Sequence, residues 1–92
     1  MNNHVTIFSA QYVKGVIMKE FKIKLDTVEK VKSFVNITSA YPFEIDICSN
    51  RYVIDAKSIM GIFSLDISKE LIIKAYSDDT ENFEKDIKDF LI

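Results

Sequence analysis

Apolar and polar residues alternate through Phe21-Lys22-Ile23-Lys24-Leu25, the two-residue period of a strand with one buried and one wet face. Asp26-Thr27 ends the run. Asp26 followed by Glu29 has the spacing of a capping box, in which a side chain accepts from the free amides that open a helix. Val28, Val31, Phe34, Val35 and Thr38 then recur at helical spacing, which predicts a first helix reaching Ala40. Tyr41-Pro42 stops it, because the residue before proline is driven out of helical backbone. Phe43, Ile45 and Ile47 alternate with Glu44, Asp46 and Cys48 as a second strand, which puts Cys48 on the outward side. Ser49-Asn50 turns the chain into a third strand, Arg51-Tyr52-Val53-Ile54. Residues 56–65 form a short helix with Ser58 suited to its N-cap, and 66–69 its exit turn. Leu71, Ile73 and Ala75 mark a fourth strand. Residues 77–81 supply caps and negative charge for a last helix, whose apolar face is Phe83, Ile87, Phe90 and Leu91. The predicted order is βαββαβα, an α+β two-layer open-faced sandwich in which three helices cover one face of a four-stranded, mostly antiparallel sheet.

The second helix is too apolar for its length. Ile59, Met60, Ile62, Phe63 and Leu65 exceed the three or four residues that one stripe holds in two turns. Ile62 and Leu65 are expected inward, leaving Ile59, Met60 and Phe63 as an exposed patch suited to docking a protein. The alternative is that a folded-back amino-terminal arm buries all five.

Ninety-two residues make one small domain, which buries roughly 60 to 65% of its unfolded surface. With 48% hydrophobic and 28% charged residues, two glycines and one proline, the chain is compact rather than disordered. A net charge of -2 with interspersed signs leaves no footprint for direct nucleic-acid binding or for an anionic membrane. Cys48 is the only cysteine and His4 the only histidine, so there is no disulfide within the chain and no set of zinc ligands; a reducing cytoplasm fits. Asp78, Asp79 and Glu81 cluster without calcium-loop spacing and read as helix caps. No Gly-rich phosphate loop and no Ser/His/Asp or Cys/His set is present, which argues against an enzyme and implies no cofactor. No apolar run approaches the roughly 20 residues that span a bilayer.

Asp55-Ala56-Lys57-Ser58-Ile59-Met60-Gly61-Ile62-Phe63-Ser64-Leu65-Asp66-Ile67-Ser68 resembles the regulatory-serine helix of HPr, the small phosphocarrier of the bacterial sugar phosphotransferase system. The resemblance covers residues 18–92, is strongest over 51–71 and weakest through the first helix. It implies the HPr-like sandwich. It also implies phosphorylation of Ser58 by an HPr kinase/phosphorylase, with a cap role alone as the alternative. Lys57, Ile59, Met60 and Phe63 are then the surface for enzyme I, that kinase or a catabolite control regulator. Lys57 read by itself is an ordinary solvated lysine.

A working carrier in that family holds a histidine, with an arginine nearby, in the loop that opens the first helix. Here the segment reads Leu25-Asp26-Thr27-Val28-Glu29-Lys30, the loop is shorter, and Arg51, the only arginine, falls elsewhere. Asp26 and Glu29 would repel a phosphoryl group. The expectation is a regulatory or binding homologue of the phosphoenolpyruvate-dependent system without histidine phosphocarrier activity, similar to the catabolite-repression homologue in that family. Two alternatives stay open: a true carrier with His4 brought in by a long arm, and an assembly module that dimerises through Met60 and Phe63.

Residues 1–17 precede the HPr-like pattern. Lys14-Gly15-Val16-Ile17-Met18 is what a ribosome-binding sequence read in frame would encode, so one reading is a start assigned upstream of Met18. The other is an added strand or arm. The segment lacks the ordered parts of a signal peptide.

Overall fold

The computed structural model describes residues 9–13 and 15–92. The elements are β1 (Ser9–Val13), β2 (Val16–Ile23), α1 (Val28–Ser39), β3 (Ile45–Cys48), β4 (Val53–Asp55), α2 (Ile59–Phe63), β5 (Leu71–Tyr76), α3 (Glu81–Asp86) and a 3-10 turn at Lys88–Phe90. The sheet has five strands rather than the expected four, in the order β1-β2-β5-β3-β4, and every neighbouring pair is antiparallel. The extra strand is β1. It pairs with β2 from Ser9↔Glu20 to Val13↔Val16, and the reversal between them uses Gly15 at φ +83°, a conformation glycine adopts without steric cost. β2 therefore starts at Val16, earlier than its alternation alone indicates.

Parity separates the two faces of the sheet. Phe21, Ile23, Leu71, Ile73, Ala75, Ile45 and Ile47 are fully buried on the face roofed by the helices. α1 adds Val31 and Phe34, α2 adds Ile62, and the carboxyl-terminal segment adds Phe83, Ile87 and Phe90. Edge-on ring contacts knit the layers: Phe21 to Phe83 at 6.1 Å and Phe34 to Phe90 at 5.6 Å between centroids. The predicted inward sets are thus largely the observed ones. Val28 is an exception, exposed in the first turn of α1.

Cys48 departs from expectation. Its parity does point it away from the helices, but its register neighbours Ile72 and Val53 flank it in the adjoining strands, and it is buried. That burial pushes the Cys48 thiol pKa up. Asp46, two residues earlier on the same face, stands opposite Asp55 on one side and Lys74 on the other.

Candidate functional site at the start of the second helix

The chain reaches Ser58 along a closely bonded path. The Ala56 N–H donates to the Ile45 carbonyl at 2.8 Å, and the buried Thr38 hydroxyl donates to the Ala56 carbonyl at 2.8 Å. Asp55 then turns the backbone, its Oδ1 accepting from the Lys57 N–H at 2.9 Å and its carbonyl from the Ser58 N–H at 3.0 Å. Ser58 itself is extended (φ -103°, ψ 106°), and its Oγ accepts from the Gly61 N–H at 3.1 Å. This is the predicted N-cap, satisfying one of the amides that a helix start leaves unpaired.

Gly61 lets the helix come close. A Cβ at that position would lie 2.5 Å from Ile54 Cγ2 and 3.1 Å from Ser58 Oγ. Ile62 and Leu65 point inward as expected, while Met60 is 77% exposed and Phe63 38%. Ile59 does not join that surface fully. At the first position of a five-residue helix it turns toward the core and is half-buried against it. β1 lies at the sheet edge opposite β4, so this strand does not cover Met60.

Lys57 is placed by the structure in a way that sequence reasoning missed. Its Nζ donates to the Tyr41 carbonyl at 2.7 Å, just beyond the carboxyl end of α1. The last turn of α1 contains no basic residue, so a cation from another element meets that negative end. Tyr41 is fixed further by its ring contacts with Phe43 and Phe83, and its hydroxyl donates to Asp86 Oδ2. Burial first, and then Asp86, push the Tyr41 phenol up to about 12.

The opening of α1 is the other position of interest. Thr27, not Asp26, is the N-cap: its Oγ1 accepts from the Lys30 N–H at 3.1 Å, and no Asp26–Glu29 box forms. Asp26 has φ +45°, a left-handed conformation that Asp tolerates better than most residues, so its carboxylate swings to Lys30 Nζ at 3.3 Å. The described residues contain no histidine; His4 lies outside them. Arg51 stands in the turn closed by the Ser49 N–H on the Tyr52 carbonyl, and it lines an open cleft of about 630 Å³ with Tyr52, Leu65 and Lys69. No group of His, Cys, Asp and Glu that could hold a metal ion occurs among the described residues. Nor is any described helix long and apolar enough to cross a membrane.

No protein-family model matches the sequence, and no curated protein does. Among solved structures, the chain is similar to the crystal structure of HPr-C-His from Thermoanaerobacter tengcongensis, at 30% identity and a TM-score of 0.56 over 76% of this chain and 83% of that one. The chain belongs to the HPr family. Its relationship is thus to the phosphocarrier family of the sugar phosphotransferase system. Strands β2, β5, β3 and β4 with the three helices make the expected four-stranded sandwich, and β1 lies beyond them along the β2 edge.

Proposed function

We propose that this HPr family member acts in the cytoplasm by binding protein partners and does not carry phosphate on histidine. The observation that carries this reading is the opening of α1, where an Asp26–Lys30 ion pair and the Thr27 cap occupy the place at which a carrier of this family presents its histidine. An incoming phosphoryl group would meet the Glu29 carboxylate and an Asp26 carboxylate that already engages the Lys30 ammonium, where it requires free cationic or amide donors.

Ser58 is the proposed switch. Phosphorylation would add a charge of about -1.5 to -2 at the start of α2, beside the exposed Met60 and Phe63 and the half-buried Ile59. In the unmodified protein, Met60 and Phe63 offer an adaptable thioether and a ring for a partner such as a catabolite control regulator or an enzyme I-like protein, with HPr kinase/phosphorylase writing the mark.

Incubation with HPr kinase and ATP, followed by mapping of the phosphate by mass spectrometry, tests the switch. Label on Ser58 that disappears in Ser58→Ala is the expected result. An unlabelled chain beside a labelled control HPr removes Ser58 as the switch. Acid-labile phosphate transferred from phosphoenolpyruvate through enzyme I would overturn the non-carrier reading, and loss of that label on His4→Ala would locate the acceptor.

A further inference from the structure

The two edges of the sheet are unlike each other. β4 has three residues and carries Asp55, the short and charged form in which natural edge strands discourage pairing. β1 has five residues, Ser-Ala-Gln-Tyr-Val, with no charge and no proline. Its Ala10, Gln11 and Tyr12 side chains are exposed, Tyr12 to 77%. Among the described residues nothing pairs with its outer side. We infer that β1 is a self-association edge, and that a second copy of this chain adds its own β1 antiparallel across it.

The register of β1 on β2 decides how the copies fit. Val13 and Val16 are paired across a two-residue reversal, and in such a hairpin the closing pair exchanges both of its backbone bonds. Bonding alternates from there, so Val13 and Gln11 turn their N–H and C=O groups toward β2, while Tyr12 and Ala10 turn theirs to the free edge. A two-fold axis through Gln11, perpendicular to the sheet, sets Ala10 opposite the partner's Tyr12 and Tyr12 opposite the partner's Ala10. Both residues of each pair present outward groups, giving four inter-chain hydrogen bonds. The same axis brings Gln11 onto Gln11, a non-bonded pair in which two neutral amide side chains meet without repulsion. The contact is isologous and closes as a dimer with one continuous sheet, both helical layers lying on the same side.

A strand pair of this length buries less than a standard interface, so the dimer is weak, half-associated at roughly 0.1–1 mM. Sedimentation equilibrium of the full chain, with Gln11→Lys and Met60→Asp in parallel, tests it. Concentration-dependent dimerisation that Gln11→Lys abolishes and Met60→Asp leaves intact supports the edge, because two lysines would then face each other on the axis. A monomer throughout that range overturns it, and so does a dimer that survives Gln11→Lys or is lost in Met60→Asp. Amide exchange of the unmodified chain gives a readout that needs no variant to fold. The Ala10 and Tyr12 amides should exchange more slowly as protein concentration rises while that of Gln11 does not change; equal behaviour of all three refutes the register.

Discussion

Replacing Gly61 by alanine sets two effects of opposite sign against each other in α2. Alanine in place of glycine inside a helix is favourable by about 1 kcal/mol, since the unfolded chain has less freedom to lose. The added methyl, however, would lie 2.5 Å from Ile54 Cγ2 and 3.1 Å from Ser58 Oγ. Ile54 has little room to yield: it is β-branched, its Cγ2 moves only with χ1, and it is packed against the core. Overpacking of this kind costs about 1–3 kcal/mol, and pushing Ser58 off the Gly61 amide puts a cap of about 1 kcal/mol at risk. The clash wins. Gly61→Ala should destabilise by about 1–2 kcal/mol, lowering the thermal midpoint by roughly 5–15 °C for a domain of this size. Calorimetry or circular dichroism melts measure it directly. Ile54→Leu removes the offending branch, so a double-mutant cycle should show the pair coupled favourably by at least about 0.5 kcal/mol. A Gly61→Ala melt equal to or above the parent's would show that α2 can move off β4, and the close-approach reasoning would fail.

Thr38→Val keeps the shape of a fully buried side chain but leaves the Ala56 carbonyl without its 2.8 Å donor, so urea titration should show a loss of about 1–3 kcal/mol with an unchanged m-value. Tyr41 has a folded pKa raised from 10.0 to about 12, so the neutral phenol belongs to the folded state. Its contribution is complete below pH 10 and is lost as pH rises through about 12; in Tyr41→Phe the stability curve over that window should flatten, and an identical alkaline slope in both proteins would refute the assignment. Burial, with Glu44 and Asp55 adding to it, raises the Asp46 pKa, the mark of a carboxylate held uncomfortably in its ionised form. Asp46→Asn should therefore raise the melting temperature at pH 7, with the gain shrinking as pH falls and the parent's own carboxyl becomes protonated; a lower melting temperature at pH 7 would show that the Tyr76 hydrogen bond and the Lys74 charge together outweigh burial at Asp46.

Periodicity carried the architecture. The buried sets Phe21/Ile23, Ile45/Ile47 and Leu71/Ile73/Ala75 follow directly from two-residue alternation, and Ser58 as an N-cap follows from local side-chain chemistry alone. The misses arise where partners distant in sequence decide. β1 has weak alternation and acquires its identity only by pairing with β2. Cys48 has the predicted parity, yet its burial depends on which residues flank it in β4 and β5. At the start of α1, Asp26 and Thr27 are both competent caps. A left-handed Asp26, whose N–H donates to the Ile67 carbonyl at 3.0 Å, hands the role to Thr27, and no local spacing encodes a bond to residue 67. The Met60 and Phe63 surface was legible because five apolar residues cannot all fit under one short helix. Ile59 was misplaced because α2 is shorter than the apolar run that predicts it.

The hydrogen bond from Lys57 to the Tyr41 carbonyl makes one side chain answerable to two tasks. Truncating it would remove an ammonium neighbouring Ser58 and at the same time loosen the segment that seats Tyr41 against Phe83 and Asp86. A weakened complex in Lys57→Ala would thus look like a lost partner contact even where Lys57 never touches the partner. Interface mapping on this domain therefore needs a cation-preserving exchange, Lys57→Arg, beside every neutral one.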